Sequence, residues 1–432
     1  MIFPVMLVYP NGLLANTYLN YIYVVFVFIC FLVFERGNKF YFTIVNSFFF
    51  FLFLIILFAN LWSMLINTSI PEFNYIASTF RYLSYFFIAH ILVNTTQNSR
   101  QFRFWVISFF VAFSLSLLLV VLDDLRYNWI EATFQIIPFR DRNTLDIYFR
   151  AYGAFLSPIS AGIFILNSLL LTSTLLLTKV IKQKIEKILL WILSIISIVA
   201  IVMTASRTSL VGLIASGLIM LVFSKSRIRL IFILLLFVTI VYQIGFLDNY
   251  IDNIALRNMD ETSSGKSALE GSGRVATALN SIKLFFGERT LLFGVGPSEY
   301  SVGDGTYSMA HDGFLSLLFC HGFFGVVLFF SIIMKLHNVI TKKQMSLMNI
   351  SKAHFLKMYF YLFIITNAIT FISSDGPVTH FWLLYLLFFI YFVENYISTA
   401  INRKKIVKVI KTMKIRNTVL WQNYRLKINK LI

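Results

Sequence analysis

The stretch FYFTIVNSFFFFLFLIILFANLWSMLI, residues 40–66, runs for 27 residues without one charged side chain. An α-helix of roughly 20 apolar residues crosses a hydrocarbon core of about 30 Å, so this stretch predicts a transmembrane helix. Similar runs recur along the whole chain, in which 58% of residues are hydrophobic and only 13% are charged. The sequence therefore predicts an all-α polytopic membrane protein.

Eleven apolar runs have the length of a membrane span, and residues 1–12 form either a short twelfth crossing or a re-entrant piece. We therefore expect about 11–12 transmembrane helices in one integral membrane domain, residues 1–432. The predicted spans are 13–34, 40–66, 76–93, 104–122, 152–178, 188–204, 209–223, 230–247, 313–334, 355–372 and 381–400.

Basic residues concentrate on one side of the predicted topology. Most of the 37 Lys and Arg residues fall in alternate connecting segments, which the positive-inside rule places in the cytoplasm. These segments are 35–39, 94–103, 179–187, 224–229, 335–354 and the basic tail 401–432. The net charge of +18 therefore reflects membrane topology, with contacts to anionic membrane lipids, and does not predict nucleic-acid binding.

Only two connections on the outer side are long enough to build a functional site, residues 123–151 and residues 248–312. Arg is favoured over Lys on this side, and its planar guanidinium group binds phosphate oxygens with paired hydrogen bonds. In the first loop, Arg140 and Arg150 lie among aromatic residues that suit either sugar rings or the membrane interface. Pairing of each Arg with an outer carboxylate is the structural alternative to phosphate binding.

An amphipathic helix is predicted for residues 274–286 of the second loop. Apolar residues recur there at a spacing of three and four, and Arg274 falls in the first turn. Free N–H groups at a helix start favour an anion, so Arg274 is a candidate phosphate ligand; an ion pair with Glu270 is the alternative. Arg207, at the turn between the sixth and seventh spans, has the same two interpretations, phosphate contact or structural pairing.

His311 and Asp312 stand directly before the ninth span. A histidine at the mouth of a span can accept a proton near neutral pH, which suits a general base, although an interfacial histidine solvated by lipid headgroups is the alternative. The carboxylate of Asp312 suits the N-cap of the following helix. Cys30 and Cys320 lie within spans, and the sequence has no convincing metal-ligand spacing and no nucleotide-binding loop, so we expect no metal and no cofactor.

Four motifs, in order and on the same side of the membrane, are FRAYGAFLSPISAG (149–162), TASRTSLVG (204–212), SGRVATALNSIKLFFGERTLLFGVGPSEY (272–300) and AHDGFLSLLFCHGFFG (310–325). Together they resemble the O-antigen polymerase and O-antigen ligase superfamily of bacterial envelope glycosyltransferases. The resemblance covers the middle and C-terminal half of the chain, whereas the first four spans match in hydropathy alone.

The resemblance implies a GT-C-like helical scaffold and metal-independent transfer of a sugar chain from undecaprenyl pyrophosphate, at the periplasmic face of the inner membrane. It assigns Arg150 and Arg274 to the pyrophosphate and makes His311 the candidate catalytic base. In the usual family pattern this histidine is followed by Asn; here Asp312 takes that place, which leaves open whether the residue only caps a helix or adds a carboxylate to the acid–base chemistry.

Three functions are compared on these grounds. The favoured one is the polymerase that joins repeat units of a surface polysaccharide, with a chain-length regulator protein as a possible partner. The ligase that moves a finished chain onto lipid A core carries the same motifs. A flippase for the lipid-linked unit is the transporter alternative, but the sequence has no obvious internal repeat and its charges lie in two outer loops.

Overall fold

The structure is a computed structural model, and all regular structure in the part of the chain that it describes is helical. The described residues are 25–33 except 27, 44–66, 72–95, 99–124, 151, 158–204, 206–223, 282, 292–296, 313–341, 350–371, 385, 386, 389, 392, 393 and 396.

Among these residues, eight helices have defined bounds. They are α1 (Ile44–Ile66), α2 (Glu72–Thr95), α3 (Ser99–Asp124), α4 (Pro158–Leu177), α5 (Lys184–Met203), α6 (Arg207–Phe223), α7 (Gly313–Thr341) and α8 (Ile350–Phe371).

Five of these helices contain stretches long and apolar enough to cross a bilayer, namely α1, α3, α4, α5 and α7. Helix α6 is apolar but shorter. Large apolar side chains also cover the outside of the bundle, as expected where lipid replaces water; examples are Leu65, Leu118, Ile188, Val222 and Phe330. The predicted class, an all-α polytopic membrane protein, is confirmed; the two long outer loops and the tail 401–432 lie almost entirely outside the described residues and stay predictions.

The helices form one packed bundle. Helix α1 packs against α2 and α7, and α4 packs against α5, α6 and α8, with α3 placed against α4 and α5. Helix α8 also contacts α6 and α7. Pro158 is the first residue of α4, a position that suits proline because its missing N–H has no partner within the helix.

An exposed ion pair defines one end of the bundle. The Arg103 guanidinium donates to the Glu186 carboxylate at 3.0 Å, joining the start of α3 to the start of α5. Segments 94–103 and 179–187, both predicted to be cytoplasmic, therefore lie at the same end. We call this the inner end and the opposite one the outer end, where α3 and α5 finish and α6 begins.

Two buried asparagines join α4 to α8 within the bundle. Asn167 and Asn367 exchange amide hydrogen bonds, at 2.8 Å and 3.2 Å, and each also donates to the carbonyl four residues before it, Ile163 or Phe363. Every amide N–H of the pair is thus used. Polar groups that face each other in an apolar medium hold helices together because the alternative is an unsatisfied donor.

Replacing Asn367 by leucine is expected to lower the free energy of unfolding by about 1–2 kcal/mol, because the Asn167 amide stays buried without its partner. Thermal unfolding of the purified protein in detergent measures the loss. The double replacement Asn167→Leu with Asn367→Leu should recover part of it, since both polar groups are removed. Asn338→Leu, at an exposed site on α7, is the matched control. Equal stabilities of the single variant and the control would contradict the prediction.

Helix α7 differs from the predicted ninth span in two respects. It continues to Thr341, seven residues beyond the predicted end at 334, and it contains a break at Gly322, where φ is 62° and ψ is −168°. A positive φ is open to glycine at little cost, because other residues would bring Cβ against their own backbone. The break was not predicted, since a single glycine in an apolar run is compatible with a continuous helix.

Candidate active site at the outer end of the bundle

The TASRTSLVG motif forms a tight turn between two helices at the outer end. Helix α5 finishes at Met203, with Thr204 as its C-cap, and α6 begins at Arg207. Ser206 caps α6: its hydroxyl accepts the Ser209 N–H at 3.4 Å and the Ser209 hydroxyl at 3.1 Å. The turn is therefore held by short polar side chains that are themselves buried.

Arg207 is exposed and is the first residue of α6, between the buried side chains of Ser206 and Thr208. The sequence predicted that Arg207 lies at the turn between two spans, and its side chain is at the surface of that turn. The guanidinium group therefore avoids the free-energy cost of burial. The positive end of the α6 dipole and the Arg207 side chain coincide here, which favours an anionic ligand at this end of the bundle.

The first motif reaches the same turn from another part of the chain. Ala151 is fully buried, and its N–H donates to the carbonyl of Met203 at 3.1 Å. Ala151 directly follows Arg150, so the backbone beside this predicted phosphate ligand is bonded to the end of α5, four residues before Arg207. The predicted role of Arg150 itself lies outside the described residues.

The start of α4 packs closely against the turn. A Cβ atom added to Gly162 would lie 2.8 Å from the Ser209 Cβ and 3.2 Å from the Thr204 hydroxyl oxygen, so the small residue lets α4 approach α6. The first two motifs, FRAYGAFLSPISAG and TASRTSLVG, are thus in direct contact. The last residue of the first motif, Gly162, and the first residue of the second, Thr204, are 42 residues apart in the sequence. Glycine at the crossing point is a common solution in membrane helices.

Helix α8 connects this turn to the start of α7. The Phe371 ring at the end of α8 packs against the Phe314 ring at the start of α7, with centroids 5.6 Å apart. The preceding residue of α8, Thr370, lies against Gly212 of α6. Because α8 contacts both α6 and α7 near its end, the start of α7 and the Arg207 turn lie at the same outer end. Helix α7 begins at Gly313, directly after Asp312, whose predicted N-cap role stays a prediction.

Residues 292–296 enter the bundle between α1 and α7. The Ser63 hydroxyl on α1 donates to the Val295 carbonyl at 2.5 Å, and the Val295 N–H donates to the Phe319 carbonyl at 2.7 Å. The Phe324 N–H donates to the Leu292 carbonyl at 3.1 Å. The sequence placed the return of the chain to the bundle at His311; the structure has this earlier contact, within the Gly-rich part of the third motif.

Beside this segment, a cavity of about 240 Å³ lies between α1 and α2. Its walls are mostly apolar, and the lining residues with polar groups are Asn60, Tyr75 and Thr79. Asn60 donates from its amide to the Tyr75 carbonyl at 3.1 Å and to the Thr79 hydroxyl at 2.8 Å. Asn60 thereby ties the outer ends of α1 and α2 together next to Gly296, whose added Cβ would collide with the Asn60 side-chain oxygen.

A buried histidine lies at the break of α7. His321 is fully buried, and its ring packs against Tyr82 and Phe329. A Cβ on Gly325 would collide with the His321 Cβ, so that glycine makes room for it. The sequence analysis predicted no role for His321, Asn60 or Ser63. A polar residue within an apolar run can indicate a functional or structural contact, and this pattern could have identified them.

Among the predicted site residues, Arg207 is described and lies at the outer end. The others, for which the predicted roles stay predictions, lie outside the described residues: Arg140, Arg150, Arg274, His311 and Asp312. The predicted amphipathic helix 274–286 is described at Ile282 alone, which is helical.

Residues 192–330, about a third of the chain, match the family model described as O-Antigen ligase. The match contains most of α5, all of α6, residues 292–296 and the first part of α7 with its break. It supports the O-antigen polymerase and ligase superfamily, the resemblance predicted from the four motifs. A comparison with curated proteins finds no match to this chain.

Proposed function

We propose that this protein joins undecaprenyl-pyrophosphate-linked oligosaccharide repeat units into a surface polysaccharide, as an O-antigen polymerase does. It acts as a metal-independent glycosyltransferase at the periplasmic face of the bacterial inner membrane. The observation that carries the proposal is the family match over residues 192–330, because this region contains the Arg207 turn, the segment 292–296 and the start of α7. The enzymes of this family are glycosyltransferase-like and act on lipid-linked polysaccharide substrates.

The proposed reaction is a displacement at the anomeric carbon of the donor. A hydroxyl oxygen of the acceptor forms the new C–O bond, and the bond from the anomeric carbon to the pyrophosphate oxygen breaks. The acceptor proton passes to His311 as general base, and undecaprenyl pyrophosphate leaves with the bonding electron pair. General base catalysis of this kind contributes about 10²–10⁴ in rate.

The leaving pyrophosphate accumulates negative charge, which Arg150, Arg274 and Arg207 are proposed to stabilise. Two described features support this assignment. Arg207 is exposed at the positive end of α6, and the residue after Arg150 is bonded to the end of α5 at the same turn. Arg140 and Asp312 are proposed to contact the substrate, with Asp312 either capping α7 or adding a carboxylate to the acid–base chemistry. Fixed donors of this type stabilise a developing oxyanion without reorganisation.

A second candidate is the O-antigen ligase reaction, which moves a completed chain from the same lipid to lipid A core. The matched family model carries this reaction in its description, and the match is compatible with both enzymes. The donor, the leaving group and the roles of the arginines are identical, and the acceptor alone differs. The two functions therefore predict the same site residues but different products.

A deletion strain distinguishes the two candidates. Surface polysaccharide is separated by gel electrophoresis in the strain without the gene and in the strain complemented with the wild-type gene. If the deletion leaves one repeat unit on the core and the wild-type gene restores a ladder of lengths, the protein is the polymerase. If the deletion leaves a core without any repeat unit while lipid-linked polymer accumulates, it is the ligase.

Arg207→Ala is expected to reduce polymer formation about tenfold, because water replaces only part of the contact that an exposed guanidinium makes with the leaving group. Arg207→Lys should fall between alanine and wild type, since the charge remains and the paired donors are lost. The measurement is the amount of polymer per membrane-inserted protein. Arg103→Ala at the inner end is the matched control, because exposed ion pairs contribute little. Full activity of Arg207→Ala would remove this residue from the site.

A further inference from the structure

Residues 292–295 carry non-helical backbone into the helical bundle, and Gly296, which follows them, is helical. Gly294, Val295 and Gly296 are buried, and Ser63, their contact on α1, lies three residues before the end of that helix. Their contact on α7, Phe319, lies six residues after the helix start. At 1.5 Å per residue the segment therefore reaches roughly 5–9 Å below the helix ends. Irregular backbone at such depth persists only where protein groups satisfy its hydrogen bonds.

The segment finds those bonds at the break of α7. A continuous helix would pair the Phe319 carbonyl with the N–H four residues later, and the Phe324 N–H with the carbonyl four residues earlier. The break at Gly322 leaves both groups available, and they bond to the Val295 N–H and the Leu292 carbonyl. Segment and break thus complete each other, and neither has its backbone bonds satisfied without the other.

The Val295 carbonyl bonds to α1, where it accepts the Ser63 hydroxyl at 2.5 Å. One turn away, Asn60 lies against Gly296 and bonds to Tyr75 and Thr79 of α2. The segment is therefore attached to α7 through backbone bonds, and to α1 through the Ser63 hydrogen bond, the Asn60 contact and the packing of Phe293 on the Phe58 ring, with centroids 5.5 Å apart. Sixteen residues, 297–312, separate it in sequence from the start of α7, and His311 is among them.

We propose that Ser63 is a positioning residue for glycosyl transfer, acting through residues 292–296, which fix where the outer loop leaves the bundle ahead of His311. The proposal rests on the proposed function for its reaction. Ser63 does not touch the substrate in this role. It holds residues 292–296, from which the chain continues to His311, and misplacement of reacting groups by as little as about 1 Å is enough to slow an enzyme strongly.

The kinetic test uses the purified full-length protein in lipid nanodiscs, with the lipid-linked repeat unit extracted from the deletion strain as donor and acceptor. Ser63→Ala is expected to lower the maximal rate about tenfold and to leave the half-saturating donor concentration within about twofold. Ser63→Thr keeps the hydroxyl and should restore the rate. Ser114→Ala, at an exposed serine of α3, is the matched control and should behave like wild type.

A second measurement does not depend on the reaction. Hydrogen exchange, followed by mass spectrometry on peptides covering residues 292–296, should be about tenfold faster in Ser63→Ala than in wild type. Ser63→Thr and Ser114→Ala should exchange at the wild-type rate. Unchanged exchange in Ser63→Ala would overturn the anchoring role, and faster exchange with an unchanged maximal rate would overturn the positioning role.

The two measurements also separate this proposal from the proposed function. If wild-type protein fails to lengthen the lipid-linked unit, the polymerase function is wrong, whatever the exchange rates show. If wild type lengthens it and Ser63→Ala does so at the same rate, the function stands and Ser63 has no positioning role.

Discussion

Replacing Gly294 by alanine is expected to prevent assembly of the bundle or to reduce polymer formation at least a hundredfold. The φ angle of Gly294 is 79°, a conformation that costs other residues roughly 1–2 kcal/mol. The added Cβ would also lie 2.7 Å from the carbonyl carbon of Cys320 and 2.7 Å from the Gly322 nitrogen. Both are backbone atoms of α7, so no side chain can move aside to relieve the collision.

The measurement is the membrane level of the variant, its thermal unfolding in detergent and the polysaccharide ladder in the complemented deletion strain. Gly217→Ala on α6 is the matched control, because an added Cβ there meets nothing within 4 Å. Alanine in a helix is favoured over glycine by up to about 1 kcal/mol, so the control should be as stable as wild type or slightly more stable. A normal ladder and unfolding temperature in Gly294→Ala would show that residues 292–296 are not docked as described.

Replacing His311 by alanine is expected to reduce the rate of polymerisation by about 10²–10⁴, because the acceptor hydroxyl then loses its general base. The membrane level and unfolding temperature should stay at wild-type values, since the residue precedes Gly313, the first residue of α7. The rate is measured with the extracted lipid-linked unit. His337→Ala, in the inner half of α7 beside Tyr361, is the control for loss of a histidine.

Asp312 separates two versions of this site. Asp312→Asn restores the residue usual in the family pattern and keeps a side-chain oxygen for the N-cap. If the position is a cap, the variant should polymerise within about threefold of wild type. If Asp312 takes part in proton transfer, the rate of the Asp312→Asn variant should fall towards that of His311→Ala.

The His311→Ala variant also has a contradicting outcome. A polymerisation rate equal to that of wild type would remove the acid–base role from this part of the chain.

The membrane helices were predictable because length and apolarity alone decide whether a segment crosses a bilayer. The run 40–66 contains α1, and the span predicted at 188–204 overlaps α5. The prediction that segments 94–103 and 179–187 share one face, made from their basic residues, agrees with the Arg103–Glu186 pair that joins them, while the assignment of that face to the cytoplasm stays a prediction. The same pattern of apolar runs predicted that Arg207 lies at a turn between two helices.

The contact of residues 292–296 with α1 and α7 was not predictable from these patterns. Glycines in LFGVG indicate a turn, and Gly322 in an apolar run is compatible with a continuous helix. Ser63 is a lone hydroxyl in an apolar segment, and its partner Val295 is 232 residues away. Hydrophobic periodicity reports which residues face lipid or protein, and it carries no information on which distant backbone groups pair.

The sequence by itself determined that the chain is an all-α polytopic membrane protein, that its basic residues concentrate in a few connecting segments and which superfamily its motifs resemble, because these depend on composition and local order. Only the tertiary structure decided that Ala151 bonds to the end of α5 beside the Arg207 turn and that Gly294 docks into the break of α7. Both contacts depend on backbone groups left without helical partners, and the location of such groups emerges only when the helices are packed together.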